Sequence, residues 1–185
     1  MTADGVKSVR LMQPGRFSIF VHASLAFAIR LLIVFAVEII EGRGGSNNAS
    51  VFSGFKYTDI DYAVYTDGAR HVRSGNSPFD RETYRYTPFL AHLLSPLLDH
   101  GDGGLGARGK ILFCFADVLV GCCIYLILRL TSSSSAGSHL RTTGLWWLYN
   151  PLPINICTRG SAESLMPLLP VLATVLVTQV RLPNG

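Results

Sequence analysis

The stretch FSIFVHASLAFAIRLLIVFAVEII, residues 17–40, decides the fold. It is rich in helix formers, and at about 1.5 Å per residue it crosses a hydrocarbon core of about 30 Å. It is too long for the core of a signal peptide. Ahead of it Lys7, Arg10 and Arg16 are opposed only by Asp4, so the positive-inside rule places residues 1–16 on the cytoplasmic side. The residues after the span then face a lumen or the exterior. Composition agrees: of 185 residues 49% are hydrophobic and 15% charged, against roughly 25% charged in a soluble domain. The length fits one domain. The net charge of +4 is scattered and forms no basic stripe, which argues against nucleic acid as a partner.

Toward the C-terminus, residues 111–130 (ILFCFADVLVGCCIYLILRL) form a second span. The polar run TSSSSAGSHLRTT, flanked by Arg129 and Arg141, returns the chain to the cytoplasm. A third apolar segment, 144–157, is interrupted by Pro151 and Pro153 and cannot be one clean helix. A fourth, 162–180, is long enough to span, and the chain stops directly after it, as a fragment or a shorter isoform would. Cys114, Cys122, Cys123 and Cys157 sit in apolar stretches with no metal-type spacing, so they read as small packing residues. Within the spans, Arg30, Glu38 and Asp117 each cost on the order of 2.5–3.5 kcal/mol at a helix centre. Each therefore needs a partner or a cavity, and Asp117 with a basic residue of another helix is the expected pair.

Residues 41–109 make a long loop between the first two spans. It opens with a flexible GRGGSNNAS that holds the sequon Asn48-Ala49-Ser50. At YTDIDYAVYTDGARHVRSG the character changes: Thr58 with Asp61 resembles a capping box, Gly75 is a stop, and Tyr62, Tyr65, Ala69 and Val72 recur at helical spacing. An amphipathic helix against the membrane face is expected, with Asp59 and Asp61 where exposed amides favour carboxylates. Either the two acids only stabilise that helix end, or one takes a proton from a sugar hydroxyl or holds a cation beside a phosphate. With Thr58 as cap, Asp59 is the freer base and Asp61 the orienter. Further on, SPFDRETYRYTPFLAHLLSPLL reads as a short interfacial helix. Tyr84 and Tyr86 would lie at headgroup depth, with Arg81 and Arg85 either available to a lipid phosphate or serving, with the tyrosines, as snorkelling anchors with no specific ligand. Arg159 and Glu163, four apart, either pair across a helix start or line a luminal mouth.

YTDIDY (57–62), TDGAR (66–70), YRYTP (84–88), NPLP (150–153) and RGSAES (159–164) resemble, in order and approximate spacing, the N-terminal part of the GPI mannosyltransferase 1 family. The likeness covers most of residues 55–165. Two departures stand out: Ser161 occupies a position where members often carry Asn, and members are more than twice as long. The resemblance implies an all-α polytopic membrane protein of the endoplasmic reticulum, a GT-C-like transmembrane helix bundle whose first luminal loop carries amphipathic helices and the catalytic D-x-D motif, Asp59 and Asp61. It implies dolichyl-phosphate mannose as donor, a glucosaminyl-phosphatidylinositol lipid as acceptor, α1-4 transfer of the first mannose, and a small accessory membrane subunit as partner. Tyr62, Arg85, Tyr86, Arg159 and Glu163 are carried over as substrate-binding candidates. No cofactor is required by the sequence, and a divalent cation, if bound, would sit at Asp59 and Asp61. The rival readings are a transport-type membrane protein, with Arg30, Asp117 and the broken segment lining a pathway, and an inactive truncated isoform or subunit of the same enzyme.

Overall fold

The computed structural model describes residues 14–44, 57–101, 103–132 and 134–181. Asn48 and its sequon, with Asp4, Lys7 and Arg10, lie outside the described residues. Among those described, every regular element is helical. Helix α1 is Pro14–Gly44, α2 Ile60–Arg73, α3 Pro88–Leu94, α4 Gly106–Thr131, α5 Ala136–Thr143, α6 Pro151–Thr158 and α7 Leu165–Arg181, with short 3₁₀ turns and one π-helical turn at Gly144–Leu148.

Two helices are long and apolar enough to cross a membrane, over Ser18–Glu41 and Gly106–Thr131. On α1 the buried residues Ile19, Ala23, Ala26, Arg30 and Val34 follow one stripe at three- and four-residue steps. The opposite face leaves Phe20, Val21, Leu25, Leu32 and Phe35 exposed, which is how a helix solvated by lipid is built. Helix α4 is the centre, packed by α1, α5, α6 and α7. Its small residues admit close neighbours: a Cβ on Gly121 would lie 2.6 Å from the Leu148 side chain. Cys114, Cys123 and Cys157 are buried and unpaired, as small packing residues should be.

The broken third segment is as the prolines require. Tyr149 donates its amide to Gly144 across the π-helical turn, Asn150 caps α6 through its side chain, and α6 stops at Thr158. The chain then bends by 113° into α7. Gly160 makes that corner at φ +88°, a region L side chains avoid. The expected fourth span therefore splits: 162–164 form a 3₁₀ turn, and α7, with Pro170 inside it, makes a bent pair with α6, the geometry of a broken span or of a re-entrant loop.

The charges inside the bundle find one another. Arg30 donates through Nε and Nη2 to Asp117 Oδ2 at 3.0 and 2.6 Å, and through Nη1 to the carbonyl of Leu148 at 3.0 Å. Ser164 donates to Asp117 Oδ1, and Trp147 donates its indole N–H to the Asp117 carbonyl. The Arg30 and Asp117 side chains are 0% and 1% exposed and pair with one another, and Asp117 lies in the lining of a groove beside α6. This polar layer divides two hydrophobic cores. One (Ile19, Ala23, Ala26, Val118, Tyr125, Leu148) lies on one side, and a larger one that includes Val34, Phe113, Tyr62, Tyr65 and Leu94 lies on the other, under α2 and α3.

Candidate active site

Helix α2 lies over the end of α4 that carries Gly106 and Gly109. Tyr62, Tyr65, Thr66, Gly68 and Ala69 are its buried face, close to the expected stripe. Val72 is only half-buried. Tyr62 is the wedge: its hydroxyl donates to the Gly106 carbonyl at 2.6 Å, and its ring stands edge-on to Phe113. A Cβ at Gly109 would sit 2.5 Å from the hydroxyl, and one at Gly160 2.5 Å from Cδ2. The two glycines are what let the ring enter. Tyr62 thus holds α2 on α4.

The start of α2 corrects the expected cap. The N-cap is Asp59, at φ −61° and ψ 143°, and its Oδ1 accepts from the Asp61 amide at 3.2 Å. Thr58 is engaged elsewhere. Its hydroxyl and amide both go to Glu41, and it accepts from Lys110 Nζ at 2.7 Å. Because Asp59 is the cap and its Oδ2 faces Arg159 Nη2 at 3.9 Å, the order of freedom inverts: Asp61, in the first turn, is the less committed carboxylate. Asp59 is still in extended backbone while Asp61 is helical, so the two acids share one approach without being stacked on one helix face.

The strand of chain leading in, Tyr57 to Asp59, is gripped from four sides. Glu41 Oε1 accepts from the Tyr57 and Thr58 amides at 2.8 and 2.9 Å. The Tyr57 hydroxyl donates to Asn155 at 2.9 Å and lies 2.8 Å from Thr158 Oγ1. Arg159 donates through Nε to the Tyr57 carbonyl, and its own carbonyl accepts from the Asp59 amide at 2.8 Å. Arg159 therefore does not pair with Glu163, because the chain turns away at Gly160 before Glu163 is reached. Glu38, Glu41 and Lys110 support the segment that leads to the acids from outside the cleft, and the motifs alone do not single them out. Their signal is positional: acids at the end of one span and a lysine at the start of the next meet at one depth when the spans run antiparallel.

A cleft of about 300 Å³ is walled by Tyr65, Tyr86, Phe89, Leu165 and Met166, with Glu163 also in its lining, and Tyr86 connects it to Asp61. Glu163 and Met166 also border a wider groove of about 550 Å³ toward α6 and Trp146. Burial holds the Tyr86 phenol well above its ordinary range, reinforced by its hydrogen bonds to the Asp61 carboxylate and Tyr65. Burial likewise raises Tyr65, against which Asp61 and Asp59 also act. Both phenols stay protonated, so Tyr86 can donate to Asp61 and orient it.

The remaining candidates separate. Arg85 is exposed and makes no hydrogen bond or ion pair with a described residue, so its donors face outward. Arg81 is bound to Asp67 at 2.6 Å. Tyr84, expected at headgroup depth, is 3% exposed. Its ring fills the space a Gly68 side chain would need, and its hydroxyl donates to the Thr87 carbonyl. Among the described residues no group of three or more His, Cys, Asp or Glu side chains converges as a metal site. A cation here would find two carboxylates, one of them already capping a helix, and would need its other oxygen ligands from a substrate.

No family model matches the chain, and no solved structure does. Curated relatives do. The chain is 48% identical over 119 residues to GPI mannosyltransferase 1 of Aspergillus fumigatus, covering 64% of this chain and 28% of that protein. It is 47% identical over 131 residues to the GPI alpha-1,4-mannosyltransferase I, catalytic subunit, of Danio rerio, covering 68% and 30%. Against GPI mannosyltransferase 1 of Aspergillus oryzae it is 40% identical over 152 residues, covering 82% and 34%. The chain spans about a third of the length of the curated relatives it matches.

Proposed function

We propose that this chain is a segment of a GPI-anchor mannosyltransferase and carries its acidic catalytic element. The relatives' printed activity supports the reading, and one structural observation carries it further: a carboxylate, Asp61, is hydrogen-bonded to the Tyr86 phenol in the wall of a largely apolar cleft, on a segment fixed between two apolar helices. The donor is dolichyl-phosphate mannose and the acceptor glucosaminyl-phosphatidylinositol. Transfer is α1-4, on the luminal side of the endoplasmic reticulum membrane, with residues 1–16 cytoplasmic. The bundle is of GT-C type, and a small accessory membrane subunit is its partner.

A β-linked donor and an α-linked product require inversion. One base takes the acceptor hydroxyl proton as that oxygen attacks the anomeric carbon, and the bond to phosphate breaks. Asp61 is that base. Asp59 starts the helix and holds Arg159 beside the leaving phosphate, whose charge Arg159 and the outward-facing Arg85 offset. Phosphate leaves readily as an anion, so neither a strong acid nor a cation is demanded. Tyr86 orients Asp61, and Glu163 lines the cleft.

The test is rescue of GPI-anchored proteins at the surface of cells lacking the enzyme, using a full-length mannosyltransferase that contains this segment. Asp61→Ala should abolish rescue at normal protein levels. Asp59→Asn, which keeps the cap, should retain more than Asp59→Ala. Undiminished rescue by Asp61→Ala would overturn the assignment.

A further inference from the structure

We infer that Lys110 is a positioning residue for transfer, acting through Thr58 on the acidic segment; this rests on the function proposed above. Lys110 belongs to α4, is 1% exposed, and carries one of the few cations inside the apolar part of the structure. A buried ammonium is retained only when its hydrogens are used. Here Nζ donates to Glu38 Oε1 at 2.8 Å and to Thr58 Oγ1 at 2.7 Å, and lies 5.6 Å from the centre of the Tyr62 ring.

The Thr58 contact is what gives the lysine a role beyond an ion pair between helices. A hydroxyl has one hydrogen. With Lys110 donating to it, that hydrogen points to Glu41 Oε2, whose other oxygen holds the amides of Tyr57 and Thr58. The order Lys110 to Thr58 to Glu41 therefore fixes both the side chain and the backbone of the residue directly before Asp59. Two membrane-length helices set its position, α1 through Glu38 and Glu41 and α4 through Lys110. Asp59 and Asp61 inherit their placement from them. No part of this chain of contacts touches the cleft, so its effect on transfer is indirect.

This separates the lysine's two bonds experimentally. Glu38→Gln removes the charge pair and leaves the link to Thr58. Thr58→Val removes the link together with the hydroxyl's bond to Glu41 Oε2, and leaves the charge pair. Lys110→Met removes both. In a full-length mannosyltransferase that contains this segment, assayed in detergent with dolichyl-phosphate mannose and a glucosaminyl-phosphatidylinositol, Lys110→Met and Thr58→Val should each lower kcat by on the order of 10²-fold, the loss that about 1 Å of misplacement brings. The KM for donor should change little. Glu38→Gln should stay close to the parent. Because both substitutions cut one link, the double variant should be no worse than either alone. Losses that multiply, a fall confined to KM, or a Lys110→Met enzyme with parental kcat would each overturn the inference. If Lys110→Met does not accumulate, Thr58→Val against Glu38→Gln decides, since the positioning role requires the first to fall and the second to hold. The two readings fail separately: an active Asp61→Ala removes the proposed function, whereas an inactive Asp61→Ala beside a fully active Thr58→Val removes only the role of Lys110.

Discussion

Replacing Arg30 by Met leaves Asp117 buried with Ser164 on one oxygen and nothing on the other, and leaves the Leu148 carbonyl without its donor. Stranding one member of a buried pair costs about 3–5 kcal/mol, and a lost bond to a buried carbonyl about 1–3 kcal/mol. Replacing Arg30 by Met, Asp117 by Leu and Ser164 by Ala together removes the stranded charge and the hydroxyl, while the Leu148 carbonyl is orphaned as before. The difference between single and triple variants is then the charge alone, about 3–5 kcal/mol. For a chain of this length that is a melting difference of roughly 6–20 °C. Heating the purified chain in mild detergent and following tryptophan emission measures it directly, because Trp147 is bonded to the Asp117 carbonyl. The triple variant should melt well above Arg30→Met and somewhat below the parent. A triple variant that melts at or below Arg30→Met would refute the reasoning, since the layer would then be worth more as a network than the isolation of its charge can explain.

Gly160→Ala forces a side chain into a left-handed corner and against the Tyr62 ring. It should cost about 2–5 kcal/mol from backbone and overlap together, whereas Gly137→Ala, with open space around it, should be neutral or slightly stabilising; thermal unfolding of both compares them. Tyr62→Phe keeps the wedge and loses one hydrogen bond, so about 1 kcal/mol of stability should go with the KM for both lipids unmoved; a KM rise at unchanged stability would place Tyr62 at the substrate. Chelation with EDTA should leave transfer near its untreated rate. A loss restored by added Mn²⁺ would put a cation at Asp61.

The two long helices were legible because a continuous apolar run of that length has one solution in lipid. Asp117 was legible as half of a pair, since a lone charge at that depth is too costly, but naming Arg30 as the other half needed the antiparallel register of α1 and α4. The stripe of α2 could be read from Tyr62, Tyr65 and Ala69. Its cap could not. Thr58 and Asp59 are both good caps, and the choice fell to Glu41 and Lys110, which are distant in sequence and withdraw Thr58 from the contest. The same holds for Tyr84 and Tyr86: one tyrosine is buried against Gly68 and the other turned to Asp61, although adjacent spacing gave both the same expectation. The Arg159–Glu163 pair failed because i,i+4 logic presumes an unbroken helix, and the glycine between them ends it.

The hydrogen bond from the Asp59 amide to the Arg159 carbonyl also sets a clock. Its two ends are about a hundred residues apart, and at a synthesis rate of about 5–20 residues per second the second arrives roughly 5–20 s after the first. Throughout that interval α2 can coil but its entrance has no anchor on the C-terminal side, and Tyr62 has no Gly160 to close over it. The acidic element therefore matures only when α6 and its corner have been delivered to the membrane and have folded back against α4. A nascent chain paused before that point has Tyr57 and Asp59 without their partners at residues 155–159.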